Sequence, residues 1–415
     1  MKILILNTSE RVGGAAVAAN RLMRALNKTE HEARMLVRDK QTGDGRVFSL
    51  NTNWGHRRIN CFRFAWERLM ILIHNRFNRK TLFALSLANT GINISKHPLV
   101  KEADIIHLHW INQGFLSLKN IRQLAKLKKP IVWTMHDMWP CTAICHYAGV
   151  CNHYRQQCRE CFFLPHSSKE GMSAKVFRKK QKYYQRANIT FVTCSEWLNK
   201  CATSSTLLTE KQVVTIHNSI DISLFAPSDK ISSRKKLGLP IDKKLILFSA
   251  ANLNDGRKGF NYLAEAVQLL DVSNVELVLL GDIKTPLPEL PLKVNYIGFA
   301  SCEADMAMVY NTIDVYVTPS LEDNLPNTIM EAMACGTPCV GFNTGGIPEM
   351  IDHKINGYVA AYKSADDLAT GIQWVLSEAD YMSLSAKAVE KVRSYYSEWI
   401  IAGQYVDLYT TILPS

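Results

Sequence analysis

Residues 318–348 read TPSLEDNLPNTIMEAMACGTPCVGFNTGGIP, and the fold is decided here. The stretch begins as Val315-Tyr316-Val317 leaves a short apolar strand. A polar loop runs from Ser320 to Pro326. From Asn327 the pattern turns helical, with Ile329, Met330, Ala332, Met333 and Ala334 on apolar spacing. Gly336 stands where a helix would end, and Pro338 follows. Cys339-Val340-Gly341-Phe342 reads as a second buried strand, closed by the turn Thr344-Gly345-Gly346. Strand, loop, helix and strand form a βαβ unit. The N-terminus of its helix offers backbone N–H groups and the positive end of a dipole, which suits a diphosphate. Asp323 and Glu331 lie eight residues apart, one before the helix and one inside it. Carboxylates there can accept hydrogen bonds from sugar or ribose hydroxyls. They can equally be an N-terminal charge and a solvated helix residue, and spacing alone does not choose.

The same alternation runs through the chain. Lys2 to Leu6 is a short strand, Gly13-Gly14 sits in the loop after it, and Val17 to Leu26 is helical. This is a Rossmann-like opening without the GxGxxG pattern. The paired glycines either let backbone approach a phosphate or an acceptor, or simply make a tight turn. Asp104–Trp110 and Pro130–Met135 are further strands, and His107, His109 and His136 fall at their carboxyl ends. In open α/β sheets, ligands bind beyond those ends. Ile189–Val192 and Val213–Ile216 complete the first set, and residues 222–242 read as a charged linker with Pro227 and several serines. A second set opens with the strand Lys244–Ala250. The glycine-bounded loop Asp255-Gly256-Arg257-Lys258-Gly259 follows. Arg257 and Lys258 are cations at a strand-to-helix transition, suited to a leaving diphosphate or merely solvated. These patterns predict an α/β chain of two Rossmann-like domains facing across a cleft. Their expected bounds are 1–217 and 218–394, with a helical tail at 395–415 crossing back to the first.

Composition narrows the class. The 415 residues are 47% hydrophobic, enough to fill two cores. The apolar run at the N-terminus is too short for a signal peptide, and no stretch is long enough for a transmembrane helix. The net charge of +12 divides unevenly: residues 1–211 carry 34 Lys and Arg against 13 Asp and Glu, and the remainder 15 against 24. A basic half suits an anionic membrane surface or a lipid phosphate. No zinc-finger, RNP-type or helix-turn-helix signal accompanies it, so nucleic acid is not expected as a partner. Residues 56–83 interleave Arg57, Arg58, Arg63, Arg68, Arg76, Arg79 and Lys80 with Phe62, Phe64, Trp66, Leu69, Ile71, Leu72 and Phe77. That pattern fits an interfacial helix or a core helix with solvated arginines.

Eleven cysteines, an odd number, fit a reducing compartment, and a cytoplasmic chain is expected. Four of them, Cys145, Cys151, Cys158 and Cys161, fall within 17 residues. That density fits a structural zinc site of four thiolates, a pair of disulfides, or free buried thiols.

The 318–348 stretch resembles the C-terminal signature of retaining GT-B glycosyltransferases of family four: two acids with seven residues between them, then Ala-Met-Ala-x-Gly-x-Pro. Glu331 is the second acid, followed by Ala332-Met333-Ala334-Cys335-Gly336-Thr337-Pro338. Asp323 stands where the family usually has Glu. The segment His136-Asp137-x-Trp139 ahead of the cysteines resembles the exopolysaccharide and colanic-acid branch. The resemblance implies transfer of a sugar from a nucleotide-sugar, a UDP- or GDP-sugar, to an acceptor hydroxyl with retention and no catalytic metal. It assigns the diphosphate to Lys258 and Arg257 with Asn327 and Thr328, and the ribose to Glu331. It assigns the donor sugar to Asp323, Asn324, Leu325 and Pro326, with His136 near it and Gly13-Gly14 facing the cleft. The expected acceptor is lipid-linked or an oligosaccharide in polysaccharide assembly, used by an enzyme peripheral to the inner face of the cytoplasmic membrane. An epimerase, a phosphorylase or a non-catalytic sugar-nucleotide-binding scaffold on the same fold are the alternatives; donor turnover with and without a membrane-lipid extract distinguishes them.

Overall fold

The structure, a computed structural model, describes residues 1–164 and 168–413, apart from the side chain of Lys80. It divides into two units, residues 1–217 with 401 onward, and residues 218–400. The first holds a seven-stranded parallel sheet: β1 Lys2–Ser9, β2 Glu32–Asp39, β3 Val47–Ser49, β4 Ile105–Leu108, β5 Ile131–Met135, β6 Ile189–Thr193 and β7 Val213–Thr215. Its spatial order is β3-β2-β1-β4-β5-β6-β7. Its helices are α1 Gly14–Leu26, α2 Trp54–His74, α3 Pro98–Glu102, α4 Leu118–Ala125, α5 Met172–Gln185 and α6 Glu196–Thr203.

Side chains of a strand alternate between faces, so a strand buried on both sides reads as a continuous apolar run. In β1, Ile3 and Ile5 pack on one face with Ala19, Leu22 and Met23 of α1. Leu4 and Leu6 pack on the other with Leu36, Ile106 and Trp133. The C-terminal helix Glu398–Ile412 joins the first of these clusters through Ile401, Ala402, Tyr405, Leu408 and Tyr409.

The second unit holds a six-stranded parallel sheet: β8 Lys244–Asn252, β9 Val275–Asp282, β10 Lys293–Tyr296, β11 Val315–Thr318, β12 Cys339–Phe342 and β13 Gly357–Ala360. The order is β10-β9-β8-β11-β12-β13. Its helices are α7 Lys230–Leu237, α8 Phe260–Ala266, α9 Glu303–Thr312, α10 Asn327–Ala334, α11 Ile347–Met350, α12 Ala365–Gln373 and α13 Tyr381–Tyr395, and the C-terminal helix is α14. The two Rossmann-like halves expected from the βα pattern are present.

The stretch read as a linker is not all linker. Residues 230–237 form α7, capped by the Asp229 side chain accepting from the Ser232 N–H and closed by Gly238 at φ 65°. Arg234 of α7 is buried, its guanidinium 2.7 Å from Asp314, and it donates to the Thr312 carbonyl. A buried ion pair makes this helix part of the second unit's framework, and the serine content hid it.

Candidate functional site

In each sheet the strand order reverses between two neighbours, and the crevice beyond their carboxyl ends is where α/β sheets bind ligands. In the second unit the reversal lies between β8 and β11. The loop after β8 carries Asp255 to Gly259, and the loop after β11 carries Ser320 to Pro326. These loops meet. The Lys258 ammonium lies 2.6 Å from the Asp323 carboxylate, and the Leu321 N–H donates to the Arg257 carbonyl at 2.7 Å. Gly259 adopts φ +74°, and a Cβ there would stand 1.8 Å from the Pro319 carbonyl oxygen, so only glycine lets the two loops touch. A third loop, after β12, closes in the same way. Gly345 adopts φ +57°, and a Cβ on it would lie 1.6 Å from the Asp323 carbonyl oxygen. The Gly346 N–H donates to that oxygen at 3.4 Å. Asp323 is thus fixed from both sides.

Helix α10 starts directly behind this junction, with Pro326 as its N-cap and no side-chain hydrogen bond across the cap. Asn324 and Leu325 are buried at its entrance. The Asn327 side-chain oxygen accepts from the Asn218 amide at 3.0 Å. Glu331, one turn in, is buried and accepts from the Tyr310 hydroxyl at 3.0 Å. Arg257 is exposed and pairs with Asp255 at 2.9 Å. Lys258 and Asp323 thus meet at the junction, Asn324 to Thr328 lead from it into α10, and Glu331 follows one turn into that helix. Sequence reasoning missed Tyr310 and Asp255. Tyr310 sits in α9 with no motif to mark it, whereas Asp255, two residues before Arg257, carried the signal of a short capping turn.

In the first unit the reversal lies between β1 and β4. Gly13, at φ 91°, is the N-cap of α1 after β1, and Gly14 is the first residue of that helix. The three histidines at β4 and β5 have different fates. His107 lies within β4, fully buried, bridging Thr134 Oγ1 and the Tyr409 hydroxyl at 2.7 Å each. It is a packing residue rather than a strand-end ligand. His109 Nδ1 and His136 Nε2 are 2.9 Å apart, and His136 Nδ1 faces the Cys194 thiol at 3.7 Å. Burial holds His107 down at about 3 and His136 at about 4, the charge of Asp137 resisting the fall at His136. His136 is thus held neutral at pH 7, with one donor and one acceptor nitrogen, which face His109 and Cys194.

Asp137, His146 and Ser86 line up as carboxylate, imidazole and hydroxyl, at 2.7 Å and 3.0 Å. That order is the one found in hydrolytic triads. Ser86 has no exposed surface, however, and Arg68 donates toward its oxygen at 3.4 Å. The array ties the 137–146 segment to the loop around Ser86 and offers no exposed nucleophile.

The zinc expectation is corrected. Among the described residues no group of three or more His, Cys, Asp or Glu side chains is placed to hold a metal ion. All eleven cysteines are free thiols. Cys145 and Cys158 belong to the first unit's apolar core, with Cys151 and Cys161 packed against it. Burial, with neighbouring thiols adding to it, raises the Cys158 thiol to about 12 and Cys161 to about 11. Cys158 and Cys161 are therefore protonated, and all four side chains pack as small hydrophobes.

Residues 12–224 match the family described as Glycosyltransferase Family 4, and residues 243–378 match Glycosyl transferases group 1. The chain belongs to glycosyltransferase family 4. An uncharacterized glycosyltransferase of Methanocaldococcus jannaschii is 32% identical over 52% of the chain and 59% of its own length. A putative colanic acid biosynthesis glycosyl transferase of Escherichia coli is 22% identical over 82% of the chain and 84% of its own length. The chain spans 43–59% of the length of three of the curated relatives it matches. In solved structures the fold matches sucrose-phosphate synthase of Thermosynechococcus elongatus, with TM-score 0.67 and 17% identity over 99% of both chains. It also matches Anabaena HepE in complex with UDP, with TM-score 0.64 and 17% identity over 99% of this chain and 100% of that one. These likenesses identify the fold as GT-B, and the family 4 glycosyltransferase relatives include polysaccharide-biosynthesis proteins.

Proposed function

We propose that this family 4 member is a retaining glycosyltransferase that moves a sugar from a nucleotide-sugar to an acceptor hydroxyl in polysaccharide assembly. The observation that carries the reading is the junction at the β8/β11 reversal. Lys258, paired with Asp323, stands just ahead of the N-terminus of α10. The departing nucleoside diphosphate carries the charge that must be stabilised as the glycosidic bond breaks. An oriented ammonium and a helix N-terminus both stabilise it, and neither must reorganise to do so. Arg257 lends a second positive charge at the rim. Glu331 accepts from the ribose hydroxyls, and Asp323 with Asn324 to Pro326 from the sugar. Gly13-Gly14 and neutral His136 are the first unit's contributions, to acceptor and sugar respectively. No metal takes part in donor binding, and the acceptor hydroxyl attacks from the face the diphosphate leaves.

The donor is a UDP- or GDP-sugar. UDP is the first to test, because HepE of Anabaena was solved with UDP and with UDP-glucose. The acceptor is lipid-linked or an oligosaccharide. A Campylobacter jejuni relative, 28% identical over 47% of the chain, is named as acting on a diphospho-undecaprenol substrate. A lipid-linked acceptor would be met at the inner face of the cytoplasmic membrane; no described helix is long and apolar enough to cross a membrane. The deciding assay follows donor consumption with and without membrane-lipid extract. Transfer that requires the extract and falls roughly 10²-fold in Lys258→Ala supports the reading. Donor turnover without acceptor points to an epimerase or hydrolase, and tight donor binding without turnover to a scaffold.

A further inference from the structure

Helix α2 is inside out. Its inward stripe runs Asn60, Phe64, Glu67, Ile71, at the i, i+4, i+7, i+11 spacing of a single helix face. Two of those four are polar and buried, Asn60 at 3% exposure and Glu67 at 0%. The opposite stripe, Phe62, Trp66, Leu69 and Ile73, has the same spacing and is wholly apolar, yet its members are 67%, 42%, 43% and 50% exposed. Ile59 extends it by one turn, and Trp54 and Phe77 are exposed at the two ends of the helix.

The polar stripe explains why the helix cannot roll over. Glu67 Oε1 accepts from the Leu87 and Ala88 N–H groups at 2.8 and 2.9 Å. Arg68 donates to the carbonyls of Leu82 and Leu85. Asn60 donates to Asn51. Rotating α2 to bury its aromatic stripe would leave those backbone groups without partners in a buried place, so the fold commits the stripe outward. A row of exposed aromatic and aliphatic side chains of this length marks a surface that something covers.

Charge says what. Between Gly45 and Lys101 the only acidic residue is Glu67, which is buried, so no carboxylate faces outward from this segment. Arg57 and Arg58 are exposed at the first turn of the helix and Arg76 and Arg79 just beyond its last. Arg58 lies over the Trp54 ring at 4.3 Å, and the Phe62 and Trp66 rings stack at 6.3 Å. The helix has 21 residues and so is about 31 Å long, and it is not apolar enough to span a bilayer. An apolar stripe with cations at both ends and no outward acid matches the boundary between lipid headgroups and acyl chains. Lys80, counted with these cations from the sequence, has a side chain outside the described residues.

We infer that α2 is the membrane-docking element of this chain. It lies flat in an anionic lipid surface with Phe62, Trp66, Leu69 and Ile73 inserted and the arginines at headgroup phosphates. This deepens the proposed membrane-face function by naming the surface, but docking needs no sugar transfer, so the two readings fail separately. The test is flotation of the full chain with vesicles of phosphatidylcholine alone or mixed with phosphatidylglycerol. Circular dichroism and a thermal melt confirm the fold of each variant. The expected result is flotation only with phosphatidylglycerol, weakening steeply with salt. It should fall at least tenfold in Phe62→Ser/Trp66→Ser and in Arg57→Glu/Arg58→Glu, and stay unchanged in Lys258→Ala. Folded Phe62→Ser/Trp66→Ser protein that floats like the parent overturns the inference, as does absence of flotation with either vesicle. Sedimentation equilibrium without lipid covers the remaining occupant: self-association that Phe62→Ser/Trp66→Ser abolishes makes the stripe a contact between copies of this chain and also overturns it.

Discussion

Glu331 shows how one side chain can be held and still serve. Its carboxylate is buried and accepts from the Tyr310 hydroxyl, whose own pKa burial drives far up, so Tyr310 stays a donor throughout the working range. Replacing Glu331 by alanine would mix two effects: loss of the proposed ribose contact and an orphaned buried hydroxyl costing about 1–3 kcal/mol of stability. Glu331→Gln separates them. The amide oxygen still accepts from Tyr310, so the melting temperature should barely move, while kcat/KM for the nucleotide-sugar should fall roughly tenfold to a hundredfold with the charge-assisted bonds. Unchanged kcat/KM in a folded Glu331→Gln would remove Glu331 from the donor site. The acid's position was legible in the sequence from its motif, but its Tyr310 partner, 21 residues away, was not. The Lys258–Asp323 pair was illegible for the same reason, since 65 residues separate two groups that only the strand order brings together.

At the scale of elements, glycines did more to reveal the site than charges did. The turn Thr344-Gly345-Gly346 reads as a strand stop, but its structural use is to let the loop after β12 press on the backbone of Asp323. Gly345→Ala tests that use. The left-handed conformation would cost an alanine about 1–2 kcal/mol, and its Cβ would push the Asp323 carbonyl away. Expected outcomes are a lower midpoint in urea and at least a tenfold loss in kcat, with Asp323 displaced from Lys258. Stability lost with kcat intact would show that the loop contact supports the fold alone. Strand and helix positions around this turn were readable because parallel strands buried on both faces are apolar throughout. Helix α7 was not, because its eight residues are mostly charged or serine and its stability comes from Asp229 at one end and the buried Arg234–Asp314 pair. For α2, the amphipathic period was plain in sequence, but the face turned inward is set by the N–H groups of Leu87 and Ala88, which no local pattern reports.

Over the whole molecule, the groups that tie stability to pH most clearly lie in the first unit, where buried histidines and paired carboxylates act in different windows. The first unit buries His107 and His109 and partly buries His136, and the loss of solvent holds all three below the ordinary histidine value. The sign follows from linkage. The unfolded chain protonates these rings near 6.5, whereas the folded chain does so only near 4 for His136 and 3 for His107. Between those values the unfolded state binds more protons, so stability present above pH 6.5 is lost as pH falls toward 4. Asp137 and Asp44 act in a lower window. Burial pushes Asp137 up, but the His146 charge and three hydrogen bonds more than offset it. Hydrogen bonding from Arg46 holds Asp44 at about 2. Both carboxylates lose their contribution only below the usual carboxylate range. Urea midpoints measured from pH 7.5 to 4 should therefore fall before Asp44 or Asp137 contributes. His136→Gln, which keeps a hydrogen-bonding side chain beside His109 and cannot be protonated, should make that fall shallower. Identical slopes in parent and variant between pH 6.5 and 4 would show that His136 is not among the groups that set acid stability.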